Sequence, residues 1–128
     1  MKPLFLITAL ALSLAGAAHA AGSHDHAHEH KPVHGGVVVE VRDIDYELVA
    51  SPTAIRLHLR DHGKPADISK ASAKVTLLTG THRQEVELKP AGGKLEALGT
   101  FKVGPGTKAV AVVQIAGKSP ATVRFTLK

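Results

Sequence analysis

The chain of 128 residues contains no cysteine, so it can build neither a disulfide framework nor a thiolate metal site. Its single methionine is Met1, and soft copper(I) sites rest on Cys or Met sulfur. Once a leader is removed, imidazole and carboxylate are the metal-ligating side chains left. Aromatic rings are scarce as well. Beyond Phe5 there are only Tyr46, Phe101 and Phe125, too few for a base-stacking platform, and Lys and Arg are spread along the chain, so nucleic acid is excluded as a partner. The longest apolar run, residues 4–15, falls short of the roughly 20 residues that cross a bilayer, and no later run comes close.

That run has another reading. Met1-Lys2-Pro3 is a short positive start, the apolar stretch follows, and Ala18-His19-Ala20 is small at the two positions a signal peptidase reads. Residues 1–20 are therefore expected to be a signal peptide cleaved after Ala20, with a periplasmic destination and no integral membrane segment afterwards. Removing 20 of 128 residues leaves 108, enough for one domain with a modest core. Lys2 and His19 go with the leader, so 15 Lys and Arg face 11 Asp and Glu, and eight histidines remain.

Residues 21–33 begin AGSHDHAHEHKP, without apolar periodicity or a large hydrophobe before Val33. Such a segment cannot offset the entropy of ordering its backbone, and it is expected to be a disordered, His-rich metal-binding tail. Residues 34–128 read differently. Short runs of Val, Leu and Ile recur between Gly, Pro, Asp and Ser clusters, which predicts strands near 36–41, 45–50, 54–60, 73–79, 83–89, 95–103, 108–115 and 121–127. No segment carries a sustained helical repeat. Ala121, Val123, Phe125 and Leu127 alternate with polar residues, while residues 110–113 are apolar on both faces, as a central strand would be. The expected fold is all-β, an immunoglobulin-like antiparallel β-sandwich of seven or eight strands.

One hairpin can be registered. With Pro52 and Thr53 at the centre of the turn, Ser51 faces Ala54, Val49 faces Arg56 and Glu47 faces His58 on one side of the ladder. On the other side Leu48 meets Leu57 and Tyr46 meets Leu59. A slip of one residue would set Leu48 against Arg56, so this pairing is preferred, and it opposes Glu47 to His58 on the outer face.

The strongest chemical feature is the series His24, His26, His28, His30 and His34, with Asp25 and Glu29 between its members. Neutral imidazole nitrogen ligates zinc, copper(II), nickel and cobalt, and carboxylate oxygen can complete the shell. In an extended chain, alternate residues point the same way about 7 Å apart, and in a coil, residues four apart align. Either conformation supplies ligands, and a site without fixed geometry discriminates poorly among these ions. Cleavage one residue later would expose Gly22-Ser23-His24, a square-planar copper(II) or nickel(II) motif, but it would put His19 where the peptidase prefers a small residue.

A second set comprises His34-Gly35-Gly36, the pair Glu47 and His58, and Asp61-His62-Gly63. These could meet on one face and hold an ion with help from the tail. The plainer alternative makes Glu47 and His58 a cross-strand charge pair and leaves Asp61 and His62 decorating a turn. His82 reads as a surface residue. The carboxylates are scattered, the serines lack a nucleophile setting and no Gly-rich loop precedes a helix, so the chain is expected to be a binding protein and not an enzyme.

His34-Gly35-Gly36 before a Val-rich strand, then residues 45–49 (DYELV) and 57–65 (LHLRDHGKP), resembles small periplasmic proteins associated with bacterial heavy-metal efflux. The chain also resembles the His-rich N-terminal segment of some adaptor subunits of metal-exporting resistance-nodulation-division (RND) pumps. The specific part spans residues 34–65. The resemblance implies capture or hand-over of periplasmic metal near components of such a pump. A true adaptor's helical hairpin and lipoyl-like module are missing, which leaves a stand-alone accessory protein, a metal buffer or chaperone. The rival reading is a β-sandwich interaction module of the cell envelope that docks through a strand edge, its histidines incidental. A third is a pH-responsive envelope protein.

Overall fold

A computed structural model of the chain describes residues 31–128. Nine strands run β1 (Val37–Val41), β2 (Ile44–Ala50), β3 (Ala54–Asp61), β4 (Lys64–Pro65), β5 (Ser72–Thr79), β6 (His82–Ala91), β7 (Lys94–Leu98), β8 (Lys108–Gln114) and β9 (Ala121–Thr126). Every pairing is antiparallel, and the spatial order is β1-β2-β3-β7-β6-β5-β8-β9 with β4 appended to β3. Within it, β8-β5-β6-β7 is a Greek key, three hairpin-linked strands with the fourth returning beside the first.

Strand β6 belongs to both layers. Residues 82–88 pair with β5, and residues 89–91 pair with β7. The sheet then curls until β1 lies against β9 without pairing to it. This is the all-β sandwich arrangement expected from the strand pattern, nearly closed into a barrel.

Period-two alternation fills the interior. Tyr46 and Leu48 of β2, Ile55 and Leu57 of β3, Val75 and Leu77 of β5, Leu88 of β6, Leu95 of β7, and Val113 and Val123 of β8 and β9 are all buried in one cluster. Fully burying such side chains contributes about 1.5–3 kcal/mol each before entropy is counted. The β2–β3 register is the one expected, with Tyr46 opposite Leu59, Glu47 opposite His58 and Leu48 opposite Leu57. The Ser51 hydroxyl caps that turn, accepting from the Thr53 and Ala54 amides.

Three details differ from the sequence reading. The strand expected over 95–103 ends at Leu98, because the amides of Gly99 and Phe101 bond to the carbonyls of Thr53 and Pro52 instead of continuing the ladder. Lys64 and Pro65, which lie between the strands expected over 54–60 and 73–79, pair with Asp61 and Arg60 as a further short strand, β4. Strand β8 lies between β5 and β9, as expected of a central strand, yet Val112 on its outer face is 44% exposed.

Candidate functional site

The outward face of β2 and β3 carries Glu47, His58 and Arg60, since residues on that side of the ladder recur every second position. Glu47 is only 1% exposed. What covers it is the segment leading into β1. The Val33 amide donates to Glu47 Oε1 at 2.9 Å, and the amides of His34 and Gly36 each donate to Oε2 at 2.8 Å. His34 Nδ1 lies 3.3 Å from Oε1, and Arg60 Nη1 donates to the same oxygen at 3.3 Å. Burial alone would raise the Glu47 pKa, but the three amides and the His34 ring favour the charged form and bring it down to about 2.

The glycines explain how three amides within four residues, those of Val33, His34 and Gly36, can address one carboxylate. Gly35 adopts a φ of +78°, a region L-residues with side chains avoid. Gly36 runs so close to β2 that a Cβ would sit 2.3 Å from the Leu48 carbonyl oxygen. His34-Gly35-Gly36 is therefore a fold-over device: it bends the chain across the outer face and aims its amides at Glu47.

The same fold-over lays one imidazole on another. The His34 and His58 rings stack with centroids 3.6 Å apart and planes within 8° of parallel. Burial, followed by the nearby His34, lowers the His58 pKa below the usual imidazole value. No hydrogen bond engages the His58 ring among the described residues. Arg60 extends the clasp outward, its Nη2 donating to the Lys31 carbonyl at 3.1 Å. Beside it, Arg56 donates from Nε to Glu96 Oε2 at 2.6 Å. His34, Arg56, His58 and Arg60, together with Val33 and Lys94, line an open groove of about 810 Å³.

The structure thus gathers His34, Glu47 and His58 from the expected ligands. His62 stands apart in the β3–β4 turn, 80% exposed, its Nδ1 2.6 Å from Asp61 Oδ1. His24, Asp25, His26, His28, Glu29 and His30 lie outside the described residues. Among the described residues, no group of three or more His, Cys, Asp or Glu is disposed to hold a metal ion. Sequence reasoning missed Arg60, although its spacing of two from His58 on a registered strand placed it on the same face. The segment 31–33, read as the end of the tail, is tied to the domain through Lys31 and Val33.

No family model matches the chain. No curated protein matches it either. Among solved structures, the crystal structure of a Br derivative of BhCBM56 aligns with 71% of this chain and 99% of that one, at 9% sequence identity and a TM-score of 0.42. A likeness at that level carries no argument about function.

Proposed function

We propose that this chain is a periplasmic accessory protein that binds divalent transition metal ions (zinc, copper(II), nickel or cobalt) as a buffer or chaperone linked to heavy-metal efflux. The observation that carries the reading is the His34–His58 pair, placed directly after the His-rich segment and oriented by a buried carboxylate. With its pKa near 2, Glu47 is ionised and can only accept. The proton of a neutral His34 ring therefore sits on Nδ1, facing Glu47, and leaves the Nε2 lone pair free, the arrangement in which a carboxylate tunes a metal-ligating histidine.

Five donors already occupy the two oxygens of Glu47, so its part in this proposal is to orient a ligand, not to be one. His30 precedes Lys31 directly in sequence, and the Lys31 carbonyl is held by Arg60. In this proposal the imidazoles and carboxylates that precede Lys31 in sequence supply the ligands that two rings cannot. In-plane lone pairs of parallel rings do not converge, so an ion shared by His34 and His58 has to turn a ring out of the stack.

Calorimetric titration of the mature protein, of a form lacking residues 21–30, and of His58→Asn with each of the four ions tests the proposal. Uptake by the mature protein that weakens in both altered forms supports it. Equal uptake with and without residues 21–30 rules out the tail, and indifference of the mature protein to all four ions at neutral pH overturns the function.

A further inference from the structure

Tyr46 is the only tyrosine of the chain, and on the inward side of β2 it is 2% exposed. Its ring packs in the core cluster, yet no group among the described residues forms a hydrogen bond with its hydroxyl. Buried polar groups are hydrogen-bonded in the great majority of cases, so an exception calls for whatever completes it.

Tyr46 lines a cavity of about 300 Å³ at the end of the barrel, between the β1–β2 turn and the β8–β9 turn. None of its lining residues belongs to the groove beside Glu47. Ile44, Val113 and Ala121 are buried in its wall, and Ile115 is half-buried there. A water molecule needs two to four polar partners to settle in such a place, and these side chains offer it none. The polar side chains are at the mouth, where Arg42, Lys118 and Ser119 are exposed. Neither Arg42 nor Lys118 has a carboxylate within ion-pair distance among the described residues. A neighbouring hollow that shares Ile44, Ile115 and Lys118 carries Asp61 and Asp67, and those are engaged by His62 and Ser69. Burial raises the Tyr46 pKa while the Arg42 charge lowers it, so the guanidinium lies within electrostatic reach of the hydroxyl. Arg42 itself is held at a φ of 53°, left-handed backbone that a long side chain seldom adopts and that is found disproportionately at ligand sites.

We propose that this cavity binds a short straight-chain aliphatic carboxylate, its chain against Ile44, Val113 and Ile115 and its head between the Tyr46 hydroxyl and the Arg42 guanidinium. The hydroxyl donates to one carboxylate oxygen, which completes the group the protein leaves without a partner. Arg42 and Lys118 set the sign of the head, and the apolar wall sets the nature of the body. Mouths of β-barrels are a usual place for small ligands, and a volume at the low end of such sites, roughly 300–1,000 Å³, selects a short chain over a long one.

Because Tyr46 is the sole tyrosine, its ring resonances report on the cavity without ambiguity. Titrating the mature protein with sodium octanoate, in chelator so that metal plays no part, should shift those resonances saturably with a dissociation constant on the order of a millimolar or below. Octan-1-ol, which lacks the charge, and acetate, which lacks the chain, should each bind roughly tenfold or more weakly. By calorimetry, Tyr46→Phe and Arg42→Gln should each weaken octanoate binding about three- to tenfold. Without ligand, Tyr46→Phe should unfold at the same urea concentration as the parent or a higher one, since it removes a hydroxyl that has no partner to lose. No saturable shift, octan-1-ol bound as tightly as octanoate, or an affinity unchanged in both variants would each overturn the proposal. A lower urea midpoint for Tyr46→Phe would do the same, because the hydroxyl would then be satisfied without a ligand. Should Tyr46→Phe fail to fold, the exposed Arg42→Gln and the comparison with octan-1-ol decide.

Discussion

The Gly36 amide lies 2.8 Å from Glu47 Oε2, a distance that only a residue without a side chain can reach along this path. A Cβ on Gly36 would meet the Leu48 carbonyl oxygen at 2.3 Å and Val49 Cγ2 at 2.9 Å, and the first of these is backbone that cannot swing aside. Gly36→Ala is expected to cost about 1–3 kcal/mol, read from urea denaturation. Gly35→Ala meets no atom within 4 Å and should cost only the positive-φ strain, about 1 kcal/mol. Equal losses at the two positions would contradict the close approach.

Glu47 makes stability depend on acid. Its folded pKa, about 2, lies below the ordinary 4.5, so the folded state binds the proton less readily than the unfolded state. The stabilisation is fully present above pH 4.5 and disappears as pH falls from there through 2. A difference of that size corresponds to about 3 kcal/mol. Urea midpoints measured from pH 6 down to pH 2 should fall accordingly. In Glu47→Gln, which is less stable at neutral pH, the slope should be visibly flatter; an unchanged slope would show that other carboxylates govern acid unfolding.

The β1–β2 hairpin can be improved. Val41 pairs with Ile44, leaving Arg42 and Asp43 as a two-residue loop with φ of 53° and 68°. Both values are left-handed, the signature of a type I′ turn that favours Asn-Gly. Replacing Arg42 by Asn and Asp43 by Gly should raise stability by about 1 kcal/mol, which for a domain near 100 residues is a rise in Tm of roughly 4–8 °C. A fall in Tm would mean that the Arg42 side chain contributes more than the strain it imposes.

Metal uptake, if it is imidazole-based, should decline as pH drops through the ordinary histidine range near 6.5, since ligation requires the neutral ring. The lowered pKa of His58 keeps that ring available further into acid than an ordinary histidine. In a histidine NMR titration with zinc, the His58 resonances should respond to metal at a pH where binding by the intact tail has already weakened. His58 signals indifferent to metal at every pH would detach the pair from the proposed function.

Much of this was written in local pattern. Only one β2–β3 register sets Leu48 on Leu57 and Tyr46 on Leu59, and that choice by itself opposes Glu47 to His58. The covering of that face was not legible in the same way. Gly35 and Gly36 announce conformational freedom, but a pair of glycines does not say where the chain turns, and the three amides that hold Glu47 carry no side-chain signal at all. The Arg42-Asp43 turn was silent for the opposite reason: neither residue is the glycine or asparagine that usually marks left-handed backbone. The strand expected over 95–103 stops at Leu98, because Gly99 and Phe101 find their acceptors in the neighbouring turn at Thr53 and Pro52.

Strand β6 gives three of its ten residues to one layer and the rest to the other. A single uninterrupted stretch of backbone is thereby common property of both halves of the molecule. Neither half can peel away without dragging the shared strand out of register in its neighbour, so amide exchange in the two layers should share one opening free energy instead of splitting into a tight half and a loose one. Whatever disturbs the charged face around Glu47 is then felt, as a loss of cooperativity, across the whole domain.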